Sequence, residues 1–140
     1  MYSPVMDTIT FHFLISMAVS ERLEMRLMDV VTAYLYVSLD SDIHMKILEG
    51  YKMLEAYTPR NLFSIKLQRS LYGLKQSGRM WYKRLSKYLI KKRYKNDPIC
   101  PSVFIKKFET GFAIIVVYVD NINLIGTPEE LSKTIEYLRK

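Results

Sequence analysis

Residues 112–126, Phe-Ala-Ile-Ile-Val-Val-Tyr-Val-Asp-Asn-Ile-Asn-Leu-Ile-Gly, constrain this chain more than any other stretch. An Ile- and Val-rich run climbs to Tyr118-Val119 and meets one carboxylate, Asp120. After Asn121 a second apolar run is closed by Gly126. Runs of this length and β-branched content predict two strands joined by a tight turn. Asp120-Asn121 is the expected turn, because both residue types tolerate a left-handed backbone. A carboxylate at the tip of so apolar a hairpin is either a plain turn residue or a chemical group.

A second acid occupies a similar position. Residues 24–30 read as a strand, with Met25, Leu27 and Asp29 on one side and Arg26, Met28 and Val30 on the other. Asp29 thus sits near the end of an apolar strand, as Asp120 does, although a helix cap explains a lone acid there equally well. Ahead of it, residues 2–20 read as a helix with Ser3-Pro4 as boundary and Asp7 or Thr8 as cap. Ile9, Phe13, Leu14 and Met17 are its expected buried stripe.

Beyond Asp29, residues 38–42 form a polar loop, 43–45 a short strand, and 57–61 another loop. Residues 62–67 alternate as a half-buried strand. Then comes Ser70-Leu71-Tyr72-Gly73-Leu74-Lys75-Gln76-Ser77-Gly78-Arg79-Met80-Trp81-Tyr82. Gly73 allows close backbone approach, and Tyr72 and Trp81 offer flat surfaces. A helix is expected over 79–94, burying Trp81, Leu85, Tyr88 and Leu89, so Trp81 reads as core rather than as a stacking platform. Residues 96–101 break the chain, and 103–107 pair with the strand opening at 112 through a turn at 109–111. A last helix starts at Pro128, with Thr127 and Glu130 as a capping box, and reaches Leu138.

Three of these stretches together resemble one family. Tyr118-Val119-Asp120-Asn121 looks like the Tyr-x-Asp-Asp box of reverse transcriptases with its second aspartate changed. Met28-Asp29-Val30-Val31-Thr32-Ala33-Tyr34-Leu35 is similar to the first catalytic box, and 70–82 is close to a signature of copia-type LTR retrotransposon polyproteins. The resemblance implies an α+β fold: a reverse-transcriptase palm, an antiparallel sheet backed by helices, with part of the fingers and no thumb, as one partial domain over 1–140. It implies RNA-directed DNA polymerisation on an RNA or DNA template-primer with deoxynucleoside triphosphates, using two Mg2+ or Mn2+ ions. Asp29 and Asp120 would bind metal, and Asn121 would stand where a third acid is expected. Tyr34 matches the aromatic that blocks a ribose 2′-hydroxyl. Tyr72, Gly73, Lys75, Gln76 and Arg79 would line the template and nucleotide. Val37 and Leu48 replace a usual Gly and Pro, and Gly78 a usual Pro. The expectation is a truncated, partly degenerate copy, catalytically silent, with fingers strands and thumb outside the chain.

Composition narrows the classes. The 140 residues are 49% hydrophobic and 13% aromatic, enough for a packed core. One cysteine excludes an internal disulfide and a multi-cysteine zinc site. Neither a signal peptide nor a membrane-spanning run is legible, so an intracellular protein without membrane partners is expected, in a cytoplasmic particle or the nucleus by resemblance. The net charge of +7 is uneven: 66–95 holds eleven Lys or Arg and no acid, and the remainder is net acidic. This suggests a phosphate-rich partner, or else a solvated basic helix face. Non-specific nucleic-acid binding by this segment is the alternative function.

Overall fold

The computed structural model describes residues 4–51 and 63–139. The chain begins with helix α1 (Thr8–Ser20), strand β1 (Glu24–Asp29) and a short 3-10 helix (Ala33–Tyr36). After strands β2 (His44–Lys46) and β3 (Ser64–Lys66) come helix α2 (Ser77–Lys91) and strands β4 (Lys95–Asn96) and β5 (Val103–Lys107). The hairpin strands β6 (Phe112–Tyr118) and β7 (Asn121–Gly126) follow, and then helix α3 (Pro128–Leu138). The main sheet is wholly antiparallel, in the order β1-β7-β6-β5-β4, and β2 pairs with β3 apart from it.

The unbroken apolar run in β6 is explained by burial on both faces. Ala113, Ile115 and Val117 join Phe104, Ile122 and Leu124 under α2 and α3, which contribute Trp81, Leu85, Leu89, Leu131 and Ile135. Ile114 and Val116 face the other way and meet Val103, Ile125, Leu14 and Ala18 of α1. The fold is therefore α+β with an antiparallel sheet and helices, as expected, and helices cover both faces of the sheet. Each fully buried Ile or Leu there contributes roughly 1.5–3 kcal/mol. Gly126 ends β7 at a close backbone approach: a Cβ would lie 2.3 Å from the Phe112 carbonyl oxygen.

Several expectations are corrected. Helix α1 starts at Thr8, because the Asp7 carboxylate accepts from the Thr10 N–H (2.9 Å) and hydroxyl (2.6 Å). Its buried side is Leu14 and Ala18 with Phe11 and Met17 at the margin, while Ile9 and Phe13 are exposed (82% and 65%). The helix is apolar nearly all round, so tertiary packing and not periodicity selects the face; small Ala18 permits close approach. Strand β3 is exposed throughout rather than half-buried, and the loop expected at 57–61 lies outside the described residues. Helix α2 begins at Ser77 and stops at Lys91, where Arg93 turns left-handed (φ 67°) and sends Tyr94 back into the core. Val37, in place of a glycine, has φ −108° and is buried, so the backbone carries no glycine requirement there.

The capping box does not form. Thr127 is the N-cap of α3 by backbone conformation alone, and its buried Oγ1 has no hydrogen-bond partner. The Thr127 side chain fills the space beside Gly111, where an added Cβ would meet it at 2.2 Å. Glu130, buried, accepts instead from the Thr110 hydroxyl (2.6 Å) and from Lys133 Nζ (3.0 Å). Among the described residues no helix is long and apolar enough to cross a membrane.

The Thr110 hydroxyl, followed by Lys133, holds the Glu130 carboxyl below its ordinary value of 4.5. A depressed folded-state pKa contributes stability that is present above the unfolded value and lost as pH falls through the folded one. Thermal unfolding should therefore show wild type more stable than Glu130→Gln at neutral pH, with the gap closing as pH falls below the ordinary carboxylate range. A gap that is constant with pH would contradict this assignment.

Candidate active site

The hairpin turn between β6 and β7 has two residues, Val119 and Asp120, because Tyr118 pairs directly with Asn121. The expected Asp120-Asn121 turn is thus displaced by one position, and Asn121 is the first residue of β7. Val119, not an Asp or Asn, takes the left-handed backbone (φ 58°), while Asp120 does not. Positive φ at the first of two turn residues is the pattern of a type II′ hairpin turn, a place for glycine. A β-branched residue there stores strain of order 1–3 kcal/mol.

Two bonds hold the strained turn. The Trp81 indole N–H, from the first turns of α2, donates to the Val119 carbonyl at 3.0 Å. The Val30 N–H, just past β1, donates to the Asp120 carbonyl, also at 3.0 Å. Trp81 is core, as expected from its spacing, and is also the clamp on the carboxylate-bearing turn. Sequence reasoning missed this second role, since the motif shows an aromatic at helical spacing but not where its N–H points.

Strand β1 places the other acid. Asp29 pairs across from Asn121, and directly opposed residues of an antiparallel pair share a face. Asp120, in the turn that leads into β7, therefore lies beside the end of β1, and both acids lie at one end of the sheet. The Asn121 amide nitrogen donates to Asp120 Oδ1 at 3.3 Å. After Asp29 the chain turns sharply through Thr32, also left-handed (φ 58°), into the 3-10 helix bearing Tyr34.

Tyr34 and Tyr72 meet as a tilted ring pair with centroids 4.4 Å apart. Partial burial and then the Asp120 charge push the Tyr34 hydroxyl up. Tyr72 is raised by desolvation first, then by Asp120, and more weakly by Asp29. Both carboxylates therefore act on one phenol, so Asp29, Asp120, Tyr34 and Tyr72 form one constellation from four separate segments.

Gly73 needs its glycine for backbone reasons: φ is 92°, and a Cβ would meet no atom within 4 Å. The loop around it is tied down by buried Ser70 and Ser77. Their hydroxyls bond to each other, Ser77 Oγ also donates to the Leu71 carbonyl at 2.6 Å, and Ser70 N–H donates to the Val37 carbonyl at 2.8 Å. This serine pair, seven residues apart, was not singled out in the sequence. Gln76 and Arg79 line a cleft of about 460 Å³ with Lys83, Arg84, Lys87 and Val37. Lys75 is exposed and lies outside that lining. Arg84 bonds to the Tyr36 carbonyl, which ties the cleft wall to the 3-10 helix.

Among the described residues no three His, Cys, Asp or Glu side chains gather into a metal-holding group. Two carboxylates at one sheet end fit a single hard cation. They do not supply the charge of a two-ion centre, because Asn121 is neutral.

Replacing Trp81 by Phe keeps the ring and removes the donor to Val119. The expected loss is about 1 kcal/mol, and Val119→Gly in the same background should recover part of it by relieving the turn. Denaturant unfolding of the two variants checks this; a Trp81→Phe protein as stable as wild type would contradict the clamp.

Comparison with known proteins shows the family. Residues 1–139 match the model of the family described as reverse transcriptase (RNA-dependent DNA polymerase). The chain is 33% identical over 131 residues to the retrovirus-related Pol polyprotein from transposon TNT 1-94 of Nicotiana tabacum, covering 93% of this chain and 10% of that protein. It is 30% identical over 138 residues to the Pol polyprotein from transposon RE1 of Arabidopsis thaliana, covering 98% of this chain and 9% of that one. A third relative is the Ty1-ER2 Gag-Pol polyprotein of Saccharomyces cerevisiae, 32% identical over 95 residues, 64% of this chain and 5% of the relative. No solved structure matches significantly. The chain spans about a tenth of the length of the first two relatives. It belongs to the reverse-transcriptase family, as a region of a copia-type Pol polyprotein.

Proposed function

We propose that this chain is the carboxylate-bearing palm portion of a copia-type reverse transcriptase whose polymerising centre is silent. The observation that carries the reading is Asn121 opposite Asp29, where the family box has a second aspartate, with its amide turned toward Asp120. Asp29 and Asp120 would hold Mg2+ or Mn2+, which, when bound in such enzymes, activates the primer hydroxyl and neutralises the triphosphate.

The chain's own residues account for the remaining roles. The Tyr34–Tyr72 pair offers a flat wall beside both acids, suited to sensing a sugar edge and stacking a base. Gly73 keeps the neighbouring loop free of side-chain bulk, and the Ser70–Ser77 bond fixes that loop to α2. Gln76, Arg79, Lys83 and Lys87 supply donors and positive charge along a path leading away from the acids. Asn121 has the shape of aspartate without its charge, so phosphoryl transfer loses one of three anionic groups.

A second reading is favoured by the same cleft: weak, sequence-independent binding of RNA or DNA phosphates, which needs no metal centre. The purified chain tests both. No primer extension with Mg2+ or Mn2+ is expected, whereas RNA affinity should fall log-linearly with salt and weaken when Lys83, Arg84 and Lys87 become Glu. Extension abolished by Asp29→Asn would contradict silence. Salt-independent RNA affinity would contradict the second reading.

A further inference from the structure

The basic segment does not form one surface. Its first part, Arg79, Lys83, Arg84 and Lys87, lines the cleft with Val37 and Gln76, but Lys92, Arg93 and Lys95 lie past the end of α2. There they meet two cations of β5 that lie outside the segment, Lys106 and Lys107. Lys106 pairs with Ala113 and Lys107 with Phe112, at the opposite end of β6 from Tyr118. Six residues of strand put these groups roughly 20 Å from the acids.

A cavity of about 540 Å³ opens there, lined by Arg93, Lys95, Asn96, Asp97, Lys106 and Lys107. The only carboxylate in the lining, Asp97, is engaged locally: its Oδ1 accepts from the Ile99 and Cys100 N–H groups, each at 2.8 Å. None of the ion pairs between described residues involves these cations. Of the lining cations Lys106 is held by aromatic rings, as is Lys92 beside the cavity. Lys106 Nζ lies over the rings of Phe108 (4.6 Å), Tyr94 (5.4 Å) and Tyr137 (5.6 Å), and Lys92 Nζ over Tyr137 (5.3 Å) and Tyr88 (5.7 Å).

We propose that this cavity is a second anion site, distinct from the acid-bearing end, which binds phosphate groups of a nucleotide or of a single-stranded nucleic-acid backbone. Aromatic faces position the Lys106 and Lys92 ammonium groups before any ligand arrives, and a preorganised group loses less side-chain entropy on binding. Lys106 is held below the usual lysine range by desolvation and then by Arg93, with Lys92 adding to it while Glu130 opposes. Such crowding of like charge is relieved by an incoming anion. Because the rings are occupied by cations, the site reads charge and not base identity. The proposal stands apart from the polymerase reading, since it uses neither Asp29 nor Asp120.

The plain competing explanation is that Lys95 and Lys107 guard the short edge strand β4 against pairing with another chain. Amide NMR of the labelled chain, titrated with inorganic pyrophosphate and then with a single-stranded oligonucleotide, separates the cases. Pyrophosphate should shift Asn96, Lys106 and Lys107 in wild type and in Lys83→Gln/Lys87→Gln, but not in Lys95→Gln/Lys107→Gln. With the oligonucleotide, the log-log salt slope should fall by roughly 0.7 for each of Lys95 and Lys107 removed. Saturation by pyrophosphate with no gain from the oligonucleotide would support a nucleotide ligand, and affinity rising with oligonucleotide length would support a backbone. Shifts confined to residues 76–87 would overturn the site, as would pyrophosphate binding unchanged in Lys95→Gln/Lys107→Gln. Self-association of that variant with phosphate binding intact would establish the edge-guard role instead. Displacement of pyrophosphate by polyglutamate at equal charge would overturn phosphate as the ligand.

Discussion

The hydrogen bond from the Trp81 indole to the Val119 carbonyl is the contact on which the arrangement of the acids depends. Valine resists positive φ, so the two-residue turn persists only because its surroundings over-determine it. The indole holds it from α2, and the Val30 N–H holds it from the end of β1. Were the turn to relax by one position, every side chain of β7 would change face, since side chains alternate along a strand. Ile122 and Leu124 would then leave the α2–α3 side, and Asn121 would no longer sit opposite Asp29. The core and the site are therefore fixed by one register.

That register also explains what the Asp-to-Asn difference does here. Asn121 retains the size of aspartate, so the hairpin and its pairing with Asp29 are undisturbed. What changes is charge: two carboxylates near one another repel less than three and hold a cation less strongly. On the proposed function, the pairing of β7 with β1 is kept at this position, while a two-ion centre would lose a ligand. Fold and activity can thus part company at one position without a trace in the packing.

Much of the fold was legible because strand signals were strong. The runs of β1, β5, β6 and β7 and the end of α3 agree closely with expectation, and the family motifs single out Asp29, Asp120, Tyr34 and Tyr72, with Tyr34 and Tyr72 in ring contact. What failed, failed for physical reasons. The turn was assigned to Asp120-Asn121 on local preference, and tertiary bonds to Trp81 and Val30 placed the left-handed residue at Val119 instead. Helix α1 offers apolar residues on every side, so its buried face is set by Ile114, Val116 and Ile125 of the sheet. Thr127 and Glu130 have capping-box spacing, yet Thr110 and Lys133 make better partners for the glutamate. The division of the basic segment between two ends of the sheet follows from the pairing of β5, which one-dimensional charge counting does not contain.

On the proposed function, Asp29 and Asp120 form one shared cation site at the sheet end, weakened but not dispersed by Asn121. Paramagnetic broadening by substoichiometric Mn2+ in an amide NMR spectrum tests this directly. The account predicts broadening at both Asp29 and Asp120, with the Tyr34 and Tyr72 amides affected next and Lys106 and Lys107 untouched. Both effects should be lost together in Asp29→Asn. Broadening of one aspartate without the other, or its persistence at Asp120 after Asp29→Asn, would contradict the shared site.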